Sequence, residues 1–384
     1  MSADPERTLG WILDASHDLP PDEVPDLLAA AAARLGAREL RLYLADLAQR
    51  RLVPVPGPES DVLDIDGTLA GRAFQTSAVT RTDGEDVVWF PVMSGTARLG
   101  VLALAFPHVD DAAEAAGRHL AALAADLVMA KGRCGDIFHD VTRRQPPRLA
   151  AELQLQILPP LTFTTRRVSV AGVLEPAYDV AGDSFDYALN GDTLSVAIFD
   201  SAGHDLASAV MATVAVGAYR HARRRDLDLP ETAAEIDGAV QSQFERSAFV
   251  TAALLQLDVP TGAVRWLNAG HPRPLLLRNG QVVHTLACRP RTPLGIAGAD
   301  PEIGTEQLEP GDALLLFTDG VVEAKAPRGP RFGFERLADF LGRAAAADLA
   351  PAETMRRLVG LVVDHHGGRL HDDATCVLVT WQGD

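Results

Sequence analysis

Apolar and polar positions follow different rhythms along the chain, and the changes of rhythm mark three regions. Val24 to Leu35 is an alanine-rich apolar run that predicts a helix. Four strand-length segments follow, Glu39–Ala45, Arg51–Val55, Asp86–Met93 and Arg98–Phe106, with Gly67–Thr76 between them as a short helix. Residues 1–110 are therefore expected to form a small α+β domain.

Residues 111–160 are helical by pattern. Asp110 and Asp111 stand where a cap is needed, and Ala112–Lys131 is rich in Ala and Leu. After Gly132 and Gly135 a second run, Arg148–Leu158, ends at Pro159-Pro160, where a helix must stop. This stretch is expected to be a helical linker, either a rigid connector or a dimer-forming coil. It shows no sustained heptads that would choose between the two.

Residues 161–384 are richer in β-pattern. Val168–Leu174, Ser184–Leu189 and Leu194–Asp200 read as strands, with Asn190-Gly191 as a hairpin signal between the last two. Helices over Ala207–Arg224 and Glu231–Arg246 precede strands Phe249–Asp258 and Val264–Asn268. Asn279-Gly280 marks another hairpin, between Leu275–Leu277 and Val282–His284. Ala313–Phe317 then runs into Thr318-Asp319-Gly320, helices are expected near Phe334–Ala345 and Ala352–His365, and Thr375–Trp381 closes the pattern. Antiparallel strands with interspersed helices predict a helix-flanked β-sandwich.

Composition narrows the function classes. A chain of 384 residues suggests two domains. It has no apolar run of ~18 residues that would span a membrane, and MSADPERTLG lacks the basic and apolar regions of a signal peptide. Cys134, Cys288 and Cys376 have no paired spacing, so a disulfide framework or zinc site is not expected and a reducing cytoplasm fits. A net charge of −17 repels nucleic acid and anionic lipid. The basic run Arg223–Arg225 falls at a helix end and reads as a solvated cap.

The chemical signal is a set of aspartates at strand ends: Asp183 in DVAGDSFDY, Asp200 in AIFDSAGHD, Asp319 in LLLFTDGVVEA and Asp372-Asp373 in HDDATCVLV. A buried strand delivers a carboxylate to a fixed point, and a following Gly or small residue lets the backbone turn close to an ion. Converging carboxylates with few His and no Cys would make a hard, oxygen-rich site suited to Mg²⁺ or Mn²⁺. Two such ions can clamp a phosphoryl group for attack by a bridging hydroxide. Taken singly, each Asp-Gly reads as an ordinary turn, Asp200 as a cap for the helix near Ala207, and Asp372 or Asp373 as the start of a strand.

The segments LQLQILPP, DVAGDSFDY, AIFDSAGHDLASAVMA, FVTAALLQLDVPTGAVRWLNAGHPRPLLL, TPLGI, LEPGDALLLFTDGVVEA with RFGFERL, and DDAT stand in the order seen in one family. Through them the C-terminal ~220 residues resemble the PPM-type serine/threonine protein phosphatases, in the branch of SpoIIE and RsbU. The resemblance implies an αββα sandwich over residues 161–384 and two Mn²⁺ or Mg²⁺ ions. It places Asp183 on the first metal-site aspartate and Asp200 on the bridging, catalytic one. Ser201 falls on the donor of a backbone carbonyl, and Asp319 and Asp372 on ligands of the other metal, with Asp373 the less favoured of its pair. Ala181 replaces a usual glycine, and Asp205 stands after His204 where the family commonly has Gly, an added carboxylate near the metals. His204 and His271 look like landmarks rather than ligands. GTLAGRAFQTSAV, VVWFPVM and RLGVLALAF resemble a degenerate GAF sensory domain over residues 1–110.

The implied function is hydrolysis of phosphoserine or phosphothreonine on a STAS-type anti-anti-sigma phosphoprotein in bacterial sigma-factor regulation, gated by the N-terminal domain. A homodimer through the GAF-like domain or the linker helix is left open. The alternative is a non-catalytic signalling scaffold that keeps the phosphatase fold.

Overall fold

A computed structural model describes residues 5–57, 61–81, 86–143, 148–175, 182–203, 205–244, 248–296, 298, 300–368, 370 and 373–383. The chain divides into two compact units, Met1–Pro146 and Pro147–Asp384.

In the first unit, helices α1 (Pro5–Ser16) and α2 (Val24–Arg34) lead into β1 (Glu39–Ala45), β2 (Arg51–Val55) and β3 (Leu63–Asp64). Helix α3 (Leu69–Thr76), β4 (Val87–Ser94), β5 (Ala97–Ala105), α4 (Asp111–Lys131) and α5 (Ile137–Thr142) complete it. The strands form one antiparallel sheet ordered β3-β2-β1-β5-β4. Thr68 and Asp110 cap α3 and α4 by accepting from Gly71 and Ala113 N–H, each satisfying an orphan donor of the first turn. Helix α4 was expected in the linker. It lies instead in this unit, because Leu120, Ala124, Leu127 and Val128 form a face that buries against Leu102, Leu104 and Phe90.

The second unit opens with α6 (Leu149–Ile157), followed by β6 (Thr162–Thr164), β7 (Val168–Glu175), β8 (Asp183–Asn190) and β9 (Thr193–Ser201). Helices α7 (Leu206–Arg224) and α8 (Leu229–Gln243) precede β10 (Val250–Asp258), β11 (Ala263–Ala269), β12 (Leu275–Arg278), β13 (Gln281–Thr285), β14 (Gly304–Gln307) and β15 (Ala313–Phe317). The short α9 (Asp319–Glu323), α10 (Gly333–Ala346), α11 (Pro351–His366) and β16 (Ala374–Trp381) end it. One sheet runs β14-β11-β10-β9-β8 and the other β13-β12-β15-β16-β7-β6. Phe185, Val196, Ile198, Leu314, Leu316, Val377 and Val379 fill the space between them. Helices α7 and α8 cover the outer face of the first sheet, and α10 and α11 that of the second. The result is the expected αββα sandwich.

Both predicted hairpins form. Asn279 and Gly280 take positive φ between the paired Arg278 and Gln281. At the other, Asn190 itself pairs with Thr193, so the loop is Gly191-Asp192, one residue later than the dipeptide suggests. The basic run also departs from expectation. Arg223 is mostly buried and, with Arg220, bonds the buried Asp186, because α7 lies across that carboxylate; Arg224 and Arg225 are exposed.

Phe185 is fully buried between the sheets. Phe185→Ala is expected to lower unfolding stability by ~3–5 kcal/mol, read as a lower urea midpoint for the full chain.

Candidate active site

Strand alternation decides which aspartates meet. The parity that turns Phe185 and Tyr187 of β8, and Val196 and Ile198 of β9, toward the core also turns Asp183 and Asp200 inward, at the end of the sandwich. The two are direct cross-strand partners, which sets their Cβ atoms ~4.5–5.5 Å apart. Asp183 is buried, Asp200 half-buried and Ser201 buried.

The second sheet brings its own groups to the same end. Thr318, just after β15, donates its hydroxyl to Asp183 Oδ2 at 2.7 Å and accepts from Thr375 N–H at 3.0 Å. Asp319 follows as the exposed first residue of α9. A Cβ on Gly320 would stand 1.9 Å from the Asp373 carbonyl oxygen, so only glycine lets the Thr318-Asp319-Gly320 turn seat against the last strand. The buried Asp373 Oδ2 accepts from Gly182 N–H at 2.8 Å, Asp183 N–H at 3.1 Å and Gln154 Nε2 at 3.1 Å. Gln154 Nε2 also donates to the Asp183 carbonyl at 2.7 Å.

These contacts give Asp373 a positioning role. Its carboxylate holds the backbone that presents Asp183. Asp372 and His204 lie outside the described residues. Asp205 is the N-cap of α7 and accepts from Ala207 and Ser208 N–H, so Oδ1 of the carboxylate expected near the metals closes a helix end. It takes the capping role that the sequence also allowed for Asp200. His271 bonds Thr251 Oγ1 through Nδ1 at 2.9 Å, and Asn268 grips its backbone at both N–H and C=O. Burial pushes it down to about 3, so it stays neutral.

The electrostatics ask for a cation. Burial, then the charges of Asp373 and Asp200, push Asp183 well above the ordinary carboxylate range, and the Thr318 hydroxyl offsets only part of this. Around Gly182 the carbonyl oxygens of Ser201 and Gly203 both lie 3.0 Å from where a Cβ would stand, a cradle that a side chain would fill. Carboxylates and carbonyls of this kind fit a hard divalent ion. Among the described residues, no three or more His, Cys, Asp or Glu side chains close a metal cage by themselves.

The profile of the family described as Stage II sporulation protein E (SpoIIE) matches residues 190–382, just over half of the chain. The chain belongs to the SpoIIE family. Protein IcfG of Synechocystis sp. is 24% identical over 261 residues, 59% of this chain and 40% of IcfG. The phosphoserine phosphatase RsbU of Bacillus subtilis is 20% identical over 235 residues, 60% of this chain and 68% of RsbU. The chain thus spans well under half of IcfG and about two thirds of RsbU. The SiaA-PP2C domain of Pseudomonas aeruginosa superposes with a TM-score of 0.51 at 24% identity, covering 61% of this chain and 94% of that domain. Its likeness establishes the PP2C fold for the C-terminal unit.

Gln154 is the site residue that sequence reasoning passed over. It stands in LQLQILPP, a segment that carried the resemblance, yet nothing local in a helical run distinguishes a glutamine turned inward from one in solvent. Gln154→Leu removes one donor from each of two buried acceptors, Asp373 Oδ2 and the Asp183 carbonyl, and is expected to lower stability by about 1–3 kcal/mol, read by thermal melting.

Because the folded-state value of Asp183 lies above the unfolded one, its contribution is fully present below the unfolded carboxylate range and is lost as pH rises from there through the raised folded value. In chelator-treated protein, Asp183→Asn should therefore gain stability over the parent at neutral pH and lose that advantage on acidification. Melts at matched pH values check the sign.

Proposed function

We propose that the protein is a metal-dependent phosphatase that hydrolyses phosphoserine or phosphothreonine on a protein, with a STAS-type anti-anti-sigma phosphoprotein as substrate. The observation that carries this reading is the mutually repelling cross-strand pair of the buried Asp183 and the half-buried Asp200, at one end of the two sheets. Membership of the SpoIIE family and the name of RsbU as a phosphoserine phosphatase support the reaction class.

On this reading Asp183, Asp200, Asp319, Asp372 and the Ser201 carbonyl hold two Mn²⁺ or Mg²⁺ ions. When bound, the ions supply an activated water and neutralise charge on the phosphoryl oxygens. The chain's own part is placement. Asp200 is presented by a β9 core buried on both faces. Thr318 fixes one oxygen of Asp183, so the carboxylate would be held in one orientation for the ions. Asp373 and Gln154 keep the Gly182-Asp183 backbone in register. By its resemblance the N-terminal unit is a GAF-like sensor that adjusts this activity. No helix among the described residues is long and apolar enough to cross a membrane.

Incubating the full chain with Mn²⁺ and a serine-phosphorylated STAS protein should release inorganic phosphate, and Asp200→Asn should reduce the rate by at least about a hundredfold while keeping its fold by circular dichroism. A folded Asp200→Asn protein with parental turnover would end the two-metal reading. Loss of phosphate release in the parent, with no Mn²⁺ bound, would favour a scaffold.

A further inference from the structure

The segment that follows Asp319 folds into a short turn at the rim of the carboxylate site. Helix α9, which begins at Asp319, is only ~7.5 Å long, and Lys325 stands two residues past its end. Lys325 and Arg331 then pair as an antiparallel bridge, closed by Gly329 N–H to the Ala326 carbonyl and Phe332 N–H to the Ala324 carbonyl. Ala324 and Phe332 are buried at the two feet of the turn. A Cβ on Gly367 would stand 2.9 Å from Pro327 Cγ, so the turn lies against the end of α11, from which the chain runs on to Asp373. It is thus fixed between the two segments that carry Asp319 and Asp373.

What the turn presents is positive. Residues 323–336 hold Lys325, Arg328, Arg331 and Arg336 against Glu323 and Glu335, a local cationic surplus in a chain whose net charge is −17. Arg331 is held by Glu323 at 2.8 Å. Lys325 and Arg328 are exposed, and neither has an ion pair among the described residues. Phe334, three residues past Arg331 at the start of α10, is 43% exposed. A phosphoester carries about −1.5 to −2 at neutral pH, and a carboxylate-lined site in an acidic chain repels it; cations on the rim offset that repulsion at the point of entry. The ordered backbone of the turn lowers the entropy cost of binding, and the ring adds apolar area. Two free cations fall short of the roughly 4–8 basic residues that hold a protein to anionic lipid, which favours a protein segment over a membrane.

We propose that this turn and Phe334 form the docking surface for an acidic segment of the phosphoprotein substrate, next to its phosphorylated residue. Carboxylates of that segment pair with Lys325 and Arg328, and an apolar side chain packs on Phe334. The inference deepens the phosphatase reading and rests on it. The chemistry stays with the buried carboxylates; the turn selects which phosphoproteins reach them.

Kinetics of the full chain with Mn²⁺ test this on three substrates: a phosphoserine peptide flanked by Asp, Glu and Leu, the same peptide flanked by Ala, and p-nitrophenyl phosphate. The acidic peptide should show a KM at least about fivefold below that of the Ala-flanked one, a gap that narrows as salt is raised. Lys325→Glu combined with Arg328→Glu should raise the KM of the acidic peptide about tenfold, with its kcat and the turnover of p-nitrophenyl phosphate within about twofold of the parent. Phe334→Ser should raise the same KM about threefold. Equal KM values for the two peptides, or an unchanged KM in the charge-reversed protein, would overturn the docking surface, while hydrolysis of p-nitrophenyl phosphate would still uphold the phosphatase reading. An equal loss on all three substrates would make the turn a structural support of the site, and capture of phosphatidylserine vesicles with no preference between the peptides would make it a membrane contact; either result overturns the assignment. If no phosphomonoester is hydrolysed, the phosphatase reading fails by itself and fluorescence anisotropy of the labelled acidic peptide decides: about tenfold weaker binding to the charge-reversed protein supports docking, and unchanged binding ends it.

Discussion

Oxygen Oδ2 of Asp373 accepts from three donors supplied by two separate parts of the chain, and the geometry of the carboxylate end follows from that. Two donors are the backbone N–H groups of Gly182 and Asp183 at the start of β8, in one sheet. The third is the amide of Gln154 on α6. Asp373 itself enters β16, in the other sheet. A buried carboxylate is tolerated only when its charge is met by hydrogen bonds or cations. Here meeting it ties the two sheets and α6 together at the point where Asp183 is presented. Thr318 repeats the tie from β15, donating to Asp183 and accepting from Thr375.

Stitching the sheets this closely carries an electrostatic penalty. Asp183 ends up beside two other carboxylates in a place water does not reach, and both burial and repulsion disfavour its ionised form. A cation removes both terms at once. The same tightness requires glycine at 320, where a Cβ would clash with the Asp373 carbonyl oxygen, and leaves a Cβ at 182 only a tight 3.0 Å from the Ser201 and Gly203 carbonyl oxygens. Rigid backbone, crowded oxygens and unbalanced negative charge are three expressions of one arrangement. They explain why the site is built at the end of a sandwich, where opposed strand ends can be pinned, rather than on a free loop.

Helix α7 links this end of the sandwich to the other. Its N-terminus is closed by the Asp205 capping box, and Ser208 Oγ donates back to the Ala202 carbonyl in the loop after Ser201. Near its C-terminus Arg220 and Arg223 converge on Asp186 of β8, and Arg220 also donates to the Ile157 carbonyl at the end of α6. Between these polar fastenings the contact with the sheet is apolar and non-directional. The helix is thus anchored at two points, one beside the carboxylate site and the other at Asp186.

Periodicity was enough to find the main strands and helices of the second unit, because a half-buried strand must alternate and an amphipathic helix must repeat near 3.6. It missed β6, β14 and α9, which are too short to show a period, and it misassigned α4, whose alanine-rich face looks the same in a connector as in a core. The chain alone also singled out Asp183, Asp200 and Asp319, because acidic residues at the ends of apolar runs are a local feature. It did not show that Asp183 and Asp200 are cross-strand neighbours, that Asp205 caps a helix, or that Gln154 and Asp373 clasp each other. Each of those is a contact between segments distant in sequence or a choice among local alternatives, fixed by register and by the burial of particular faces. Local pattern determined the elements and the chemistry available; only the packing of two sheets, which leaves a buried carboxylate no solvent to turn to, decided which groups meet.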